Sequence, residues 1–159
     1  MRFVRLVVRN FQAIETAEVD FRPGLNVLFG PNDVGKSTLA AAIRAALLVS
    51  PSSSEASRYR SWFADAVPEV LLTFQDDDDH YWQVRKRFGI SSSQSTADLC
   101  HSKDGTSFSS EYQARKVDEH LRKLLGWGVA APGGKGAPRG LPTSFLSHAL
   151  LADQADVET

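Results

Sequence analysis

The chain has 159 residues, 42% of them hydrophobic and 23% charged, and a formal net charge of −1. That length and apolar content fit one globular domain of ordinary size with a real core. No apolar run reaches the length of a membrane span, and a single cysteine, Cys100, excludes an internal disulfide. A cytoplasmic protein with no membrane partner is the resulting expectation.

Residues 3–8 alternate in strand fashion, and Arg2 and Arg5 stand in a start that lacks a signal-peptide cleavage pattern. Residues 9–12 read as a turn. Residues 14–21 alternate Ile14, Thr16, Val19 and Phe21 with Glu15, Glu18 and Asp20, which predicts a second strand. Pro23-Gly24 is a turn. Leu25, Val27, Leu28 and Phe29 form a short apolar run, as a buried third strand would.

The next eight residues, Gly30-Pro31-Asn32-Asp33-Val34-Gly35-Lys36-Ser37, fit the phosphate-loop pattern G-x-x-x-x-G-K-S/T at every fixed position, and Thr38 follows. Beyond them Leu39, Ala40, Ala41, Ala42, Ile43, Ala45, Ala46, Leu47 and Leu48 predict a helix ending near Val49. Strand, glycine-bounded loop and helix are the parts of a phosphate cradle. Backbone N–H groups from Asn32 through Asp33, Val34, Gly35 and Lys36 to Ser37 can converge on phosphate oxygens. The helix N-terminus adds donors and a partial positive charge. Lys36 would reach the β- and γ-phosphates, and the Ser37 hydroxyl would ligate Mg²⁺. Residues 32–38, Thr38 included, are therefore the expected nucleotide-binding set, with ATP and Mg²⁺ as cofactors.

Downstream, residues 50–54 (Ser-Pro-Ser-Ser-Ser) suggest a mobile loop, and 58–66 a short helix. Two strand-like runs at 69–75 and 81–88 flank the acidic stretch Asp76-Asp77-Asp78-Asp79, which predicts a hairpin. Segment 70–77 is the one rival for a Walker B element. Gln75 separates its apolar run from the acids, however, and four adjacent aspartates would repel one another at a single Mg²⁺; the turn reading is favoured. Residues 96–101 predict another strand, with Cys100 a small core residue in its alternation. Residues 110–125 read as an amphipathic helix with capping-box spacing at Ser110 and Gln113 and an apolar face of Ala114, Val117, Leu121, Leu124 and Leu125. Residues 126–140 hold six glycines and two prolines, a flexible loop. A last helix is expected over 142–151, with Pro142 in its first turn.

Charge is uneven: residues 80–145 carry ten Lys or Arg against five Asp or Glu. Such a stretch permits nucleic-acid contact, and solvated surface residues explain it equally well.

Four segments resemble the N-terminal half of an ABC-type ATPase head of the SMC–RecF–SbcC group, which includes the Rad-fifty type of double-strand-break repair ATPase. They are Val7-Val8-Arg9-Asn10-Phe11, the stretch 19–32 with its Gly24-Leu25-Asn26 and Gly30-Pro31-Asn32, the hairpin runs 71–74 and 81–88, and residues 141–145 followed by 150–154. Essentially the whole chain is covered. The resemblance implies an α/β P-loop NTPase, an ABC-ATPase-like head lobe with a mixed central sheet and an additional antiparallel β-sheet. It implies that residues 1–159 are a single N-terminal lobe whose C-terminal lobe and coiled coil lie elsewhere, since no signature motif, switch histidine or Walker B is found in the chain. It also implies that Gln154 is the Q-loop glutamine, a catalytic residue beside Lys36 that contacts Mg²⁺ and the attacking water.

The function implied is ATP binding in DNA repair or chromosome maintenance. Hydrolysis would occur only once a C-terminal lobe completes the site, so the isolated chain would be inactive. The implied partners are that lobe, a second head across two sandwiched ATP molecules, DNA and a partner nuclease. Three positions depart from the pattern. Asp33-Val34 stands where Gly-Ser is common and is similar to OLD-type and YhaN-like ATPases. Gln12 replaces a frequent basic residue, and Ala155 replaces a glycine. An OLD-type nuclease head, a self-contained small P-loop kinase or NTPase, and a non-catalytic nucleotide site stay open as alternatives.

Overall fold

The computed structural model describes residues 1–31, 35–91 and 93–125. Asn32, Asp33, Val34, Gln154, the glycine-rich stretch 126–140 and the helix expected at 142–151 lie outside them.

Six strands form one sheet in the order β2-β1-β3-β4-β5-β6: β1 (Arg2–Phe11), β2 (Ile14–Asp20), β3 (Glu69–Gln75), β4 (Tyr81–Arg87), β5 (Thr96–Ser102) and β6 (Ser109–Gln113). Every neighbouring pair is antiparallel. Register places like with like. Val19, Leu6, Leu72, Val84, Leu99 and Tyr112 stand opposite one another across all six strands. Period-two alternation sends this row and the rows two residues to either side of it to one face. There Val8, Val70, Phe74 and Trp82 complete the buried surface.

Two helices cover that face. α1 (Lys36–Leu48) buries Ala42, Ala45, Ala46 and Leu47, and α2 (Arg115–Leu124) buries Val117 and Leu121. The alanines let α1 lie close against the sheet, which fixes where its N-terminus points. No helix among the described residues is long and apolar enough to cross a membrane.

Several expectations differ from what the described residues show. The run at 25–29 joins no ladder with the described strands, and Leu25 and Phe29 are each 91% exposed. The sheet of the described residues is antiparallel throughout, so the mixed central sheet expected to carry that run is not seen among them. The helix expected over 110–125 is only α2; its supposed first turns are β6, which pairs with β5. Pairing of the partly buried Tyr112 with Leu99 outweighs the capping-box pattern, and Ala114, at φ 53°, turns the chain between strand and helix. The serine-rich stretch is built into a turn, with Ser53 N donating to Ser50 O (3.0 Å), and leads into a short 3-10 helix, Ser54–Tyr59, ahead of the predicted 58–66. Cys100 is only partly buried, because alternation gives the core position to Leu99.

Candidate nucleotide site

The approach to the phosphate loop is shaped by Asn26. Its side-chain amide donates to Arg22 O (2.9 Å) and Gly24 O (3.1 Å), and its carbonyl accepts Arg22 N (2.9 Å). Those bonds close the Pro23-Gly24 turn, with Gly24 at φ 90°, and aim the apolar run at the loop.

Gly35 stands at the N-cap of α1 with φ 88° and ψ 15°. This left-handed conformation disfavours any residue with a Cβ. Space excludes one as well, because a Cβ would lie 3.1 Å from Ile14 Cγ1. Leu39 N donates to Gly35 O (2.9 Å), starting the helix. Among the described residues no side chain caps the N-terminus, and no acidic residue occupies the first turn. The first amides of α1 therefore keep their unsatisfied donors and the positive end of the helix dipole for an anion.

Lys36 folds back over the loop. Its ammonium donates to Gly30 O (2.8 Å) and to Pro31 O. A phosphate would take this ammonium over in a charge-assisted bond, stronger than one to a neutral carbonyl. Ser37 is exposed and Thr38 is buried. Of the predicted set, Gly35, Lys36, Ser37 and Thr38 thus sit together at the start of α1. The donors fit a nucleotide polyphosphate, and the exposed Ser37 hydroxyl fits a Mg²⁺ ligand.

Gln12 is committed elsewhere. Its backbone N donates to Tyr59 O (3.2 Å), its side-chain amide donates to Arg58 O (3.1 Å), and its carbonyl accepts Trp62 N (3.0 Å). The Gln12 side chain thus pins the end of the 3-10 helix, and its backbone carbonyl holds the segment after it.

The acidic stretch is a turn. β3 runs antiparallel between β1 and β4, and Asp76 accepts hydrogen bonds from Trp82 Nε1 (2.8 Å), His80 N (2.9 Å) and Asp78 N (3.0 Å). Desolvation pushes the Asp76 carboxyl up, but these donors together outweigh it and hold the group below its ordinary value. Asp76 organises the hairpin.

Sequence reasoning missed Lys86, which is fully buried and donates to Val49 O (2.8 Å) and Asp118 Oδ1 (2.7 Å). The signal was present: Trp82, Val84 and Lys86 alternate on one face of β4, Phe88 continues the pattern one residue beyond it, and three of the four are apolar.

The sequence matches the AAA domain family over residues 5–125. It is 32% identical over 123 residues to the DNA double-strand break repair Rad50 ATPase of Methanopyrus kandleri, covering 77% of this chain and 14% of the relative. The Rad50 ATPase of Aeropyrum pernix is 26% identical over 158 residues, 98% of this chain and 16% of the relative. The DNA replication and repair protein RecF of Magnetococcus marinus is 51% identical over 43 residues, 27% of this chain and 11% of the relative. The chain thus spans a small part of the length of these curated relatives. With a phosphate-loop pattern at the start of α1 and a family match across the sheet and both helices, the chain belongs to the AAA-domain family of P-loop NTPases, in the group of SMC-, RecF- and Rad50-like ABC ATPases whose N-terminal region it matches.

Proposed function

We propose that this chain is the ATP-binding N-terminal lobe of a DNA-repair or chromosome-maintenance ATPase. The observation that carries the reading is the start of α1, with uncapped amides, a left-handed Gly35 and Lys36 lying across the loop carbonyls. In this role Lys36 leaves Gly30 O for the β- and γ-phosphates, while residues 32–35 supply backbone donors. Ser37 and Gln154 are the proposed Mg²⁺ ligands, and Gln154 also orients the attacking water. Bound Mg²⁺-ATP supplies the transferable γ-phosphoryl group; what the chain contributes is positioning and charge stabilisation.

The exposed run at 25–29 supports a partner lobe. An apolar segment that joins no ladder among the described residues leaves large side chains exposed. Strands from a C-terminal lobe would pair with it and build the mixed central sheet. That lobe would also supply the general base and signature segment. Two such heads would close on two ATP molecules, with DNA and a nuclease as further partners. The small-kinase alternative loses its support, since it needed an internal Walker B and β3 is antiparallel with Asp76 in a turn.

Calorimetry with Mg²⁺-ATP tests the reading. The folded chain is expected to bind, and Lys36→Ala to lose most of the affinity while keeping its circular dichroism spectrum. Equal affinity in both proteins would overturn the assignment of Lys36.

A further inference from the structure

Gly35 is the turning point of the cradle, and it has no side chain to lock its own backbone. Glycine takes positive and negative φ about equally readily, so packing has to select the φ of 88°. The bond from Leu39 N to Gly35 O (2.9 Å) ties the residue to the helix but leaves its φ open. Among the described residues the group that meets its bare face is Ile14. A Cβ on Gly35 would lie 3.1 Å from Ile14 Cγ1 and 3.4 Å from Ile14 Cδ1.

Ile14 is itself held in place. It is buried and pairs with Phe11 across the two-residue turn Gln12-Ala13. Phe11 is fully buried and stacks on Tyr59, with ring centroids 4.7 Å apart and planes at 19°. Gln12 ties the turn to Tyr59 O (3.2 Å) and Arg58 O (3.1 Å), and its carbonyl accepts Trp62 N (3.0 Å). Ile14 is also β-branched, which stiffens its χ1. A stiff side chain on a pinned turn thus presses the side of Gly35 that carries no atoms.

We propose that Ile14 is a positioning residue of the nucleotide site: packed on Gly35, it keeps that glycine left-handed and so keeps the first amides of α1 and Lys36 aimed at the phosphates. This rests on the nucleotide-binding reading above. Truncating Ile14 opens room beside Gly35, which then reaches other conformations. Lys36, the next residue, moves with it. Apparent affinity falls in proportion to the fraction of chains that keep the competent conformation. The loss falls on the phosphate half of the ligand, because Ile14 acts only through the loop. A role of Ile14 as core filling alone is the competing outcome.

Calorimetry decides between them. Mg²⁺-ATP and Mg²⁺-tripolyphosphate are titrated into the 159-residue chain, Ile14→Ala, Ile14→Val and Leu99→Ala, and a urea midpoint is taken for each. Leu99 is a fully buried control on β5, separated from β1 by β3 and β4. Should the competent fraction fall to about a tenth, Ile14→Ala weakens both ligands about tenfold, by the same factor. Ile14→Val keeps the branch at Cβ, loses Cδ1 and shows a smaller loss of the same kind. Leu99→Ala is expected to lose stability and keep wild-type affinity. Folded Ile14→Ala with wild-type affinity overturns the proposal, as does a loss confined to ATP or an equal loss in Leu99→Ala. Where Ile14→Ala does not fold, Ile14→Val decides, and unchanged affinity in it overturns the proposal. All of these leave the phosphate loop standing. Wild-type chain that binds neither ligand overturns the nucleotide site, and this proposal with it.

Discussion

Lys86 and Asp118 form an ion pair inside the fold, 2.7 Å apart, with the lysine side chain wholly buried and the aspartate 15% exposed. The same ammonium donates to Val49 O at the C-terminal cap of α1. Lys86 therefore joins β4, α2 and the end of the helix whose other end forms the cradle. A cation at a helix C-terminus is favoured by the dipole. Burial pushes the Lys86 ammonium below its ordinary value, and Asp118 opposes that shift. Lys86→Met removes the cation and strands a carboxylate and a helix-end carbonyl. Loss of about 3–5 kcal/mol is expected, read from the urea midpoint. The double variant Lys86→Met with Asp118→Leu is expected to recover much of that, because the orphaned charge goes too. A single variant as stable as wild type would show that the pair adds nothing.

Gly35→Ala tests the cradle from the backbone side. The left-handed φ costs an L-residue roughly 1–2 kcal/mol, and the new methyl meets Ile14 at 3.1 Å. A destabilisation of about 1–2 kcal/mol is expected, together with weaker ATP binding as the amides turn out of register. An unchanged urea midpoint would show that the loop relaxes around the methyl.

Much of this was legible in residues. The alternations in β1, β2, β3, β4 and β5 announced their strands because each buries one face, and the phosphate-loop pattern announced α1, which begins at Lys36 inside the pattern rather than after it. β6 was misread because Ser109–Gln113 is short and polar; only Tyr112, opposite Leu99, shows why it is a strand, and that contact is not local. The run at 25–29 was read as a buried strand from its composition, yet burial needs a neighbour that the described strands do not provide. Gln12 carries no sequence signal for its role, since its partners Arg58, Tyr59 and Trp62 lie far along the chain. Lys86 hid among basic neighbours, although its place in the β4 alternation marks it as inward.

Acid should weaken the fold through Asp76 and Asp104. Asp104 accepts hydrogen bonds from Thr106 N (2.9 Å), Ser107 N (3.3 Å) and the Ser102 hydroxyl (2.9 Å). Led by the Thr106 amide, these donors hold its carboxyl well below the ordinary value of 3.8, and Asp76 is shifted the same way. The folded state thus binds fewer protons than the unfolded chain around and below that value. The stabilisation is complete above it and is lost as pH falls through the depressed folded values. Urea midpoints measured at stepwise lower pH should decline, and Asp104→Asn should flatten the decline. An equal slope in the variant would mean that Asp104 is not a source of the acid limb.

The exposed run at 25–29 makes the partner-lobe proposal measurable. Among the described residues its amides join no ladder, and in the 159-residue chain they are expected to exchange with solvent at near-unprotected rates. Adding the C-terminal lobe of the same protein should slow exchange at 25–29 specifically, while strands β3 and β4, already paired on both sides, change little. Turnover should follow pairing. The chain alone is expected to show little or no ATP hydrolysis, and the reconstituted protein to hydrolyse, since the general base and signature segment then arrive. In that protein Gln154→Ala should lower kcat more than it weakens ATP binding, because its proposed contacts are with the metal and the attacking water rather than with the cradle. Robust hydrolysis by the chain alone, with exchange at 25–29 unchanged by the added lobe, would refute the half-site reading. Asp76→Asn separates the remaining case: turnover abolished by that change would place the chemistry at the hairpin, where the structure shows a turn.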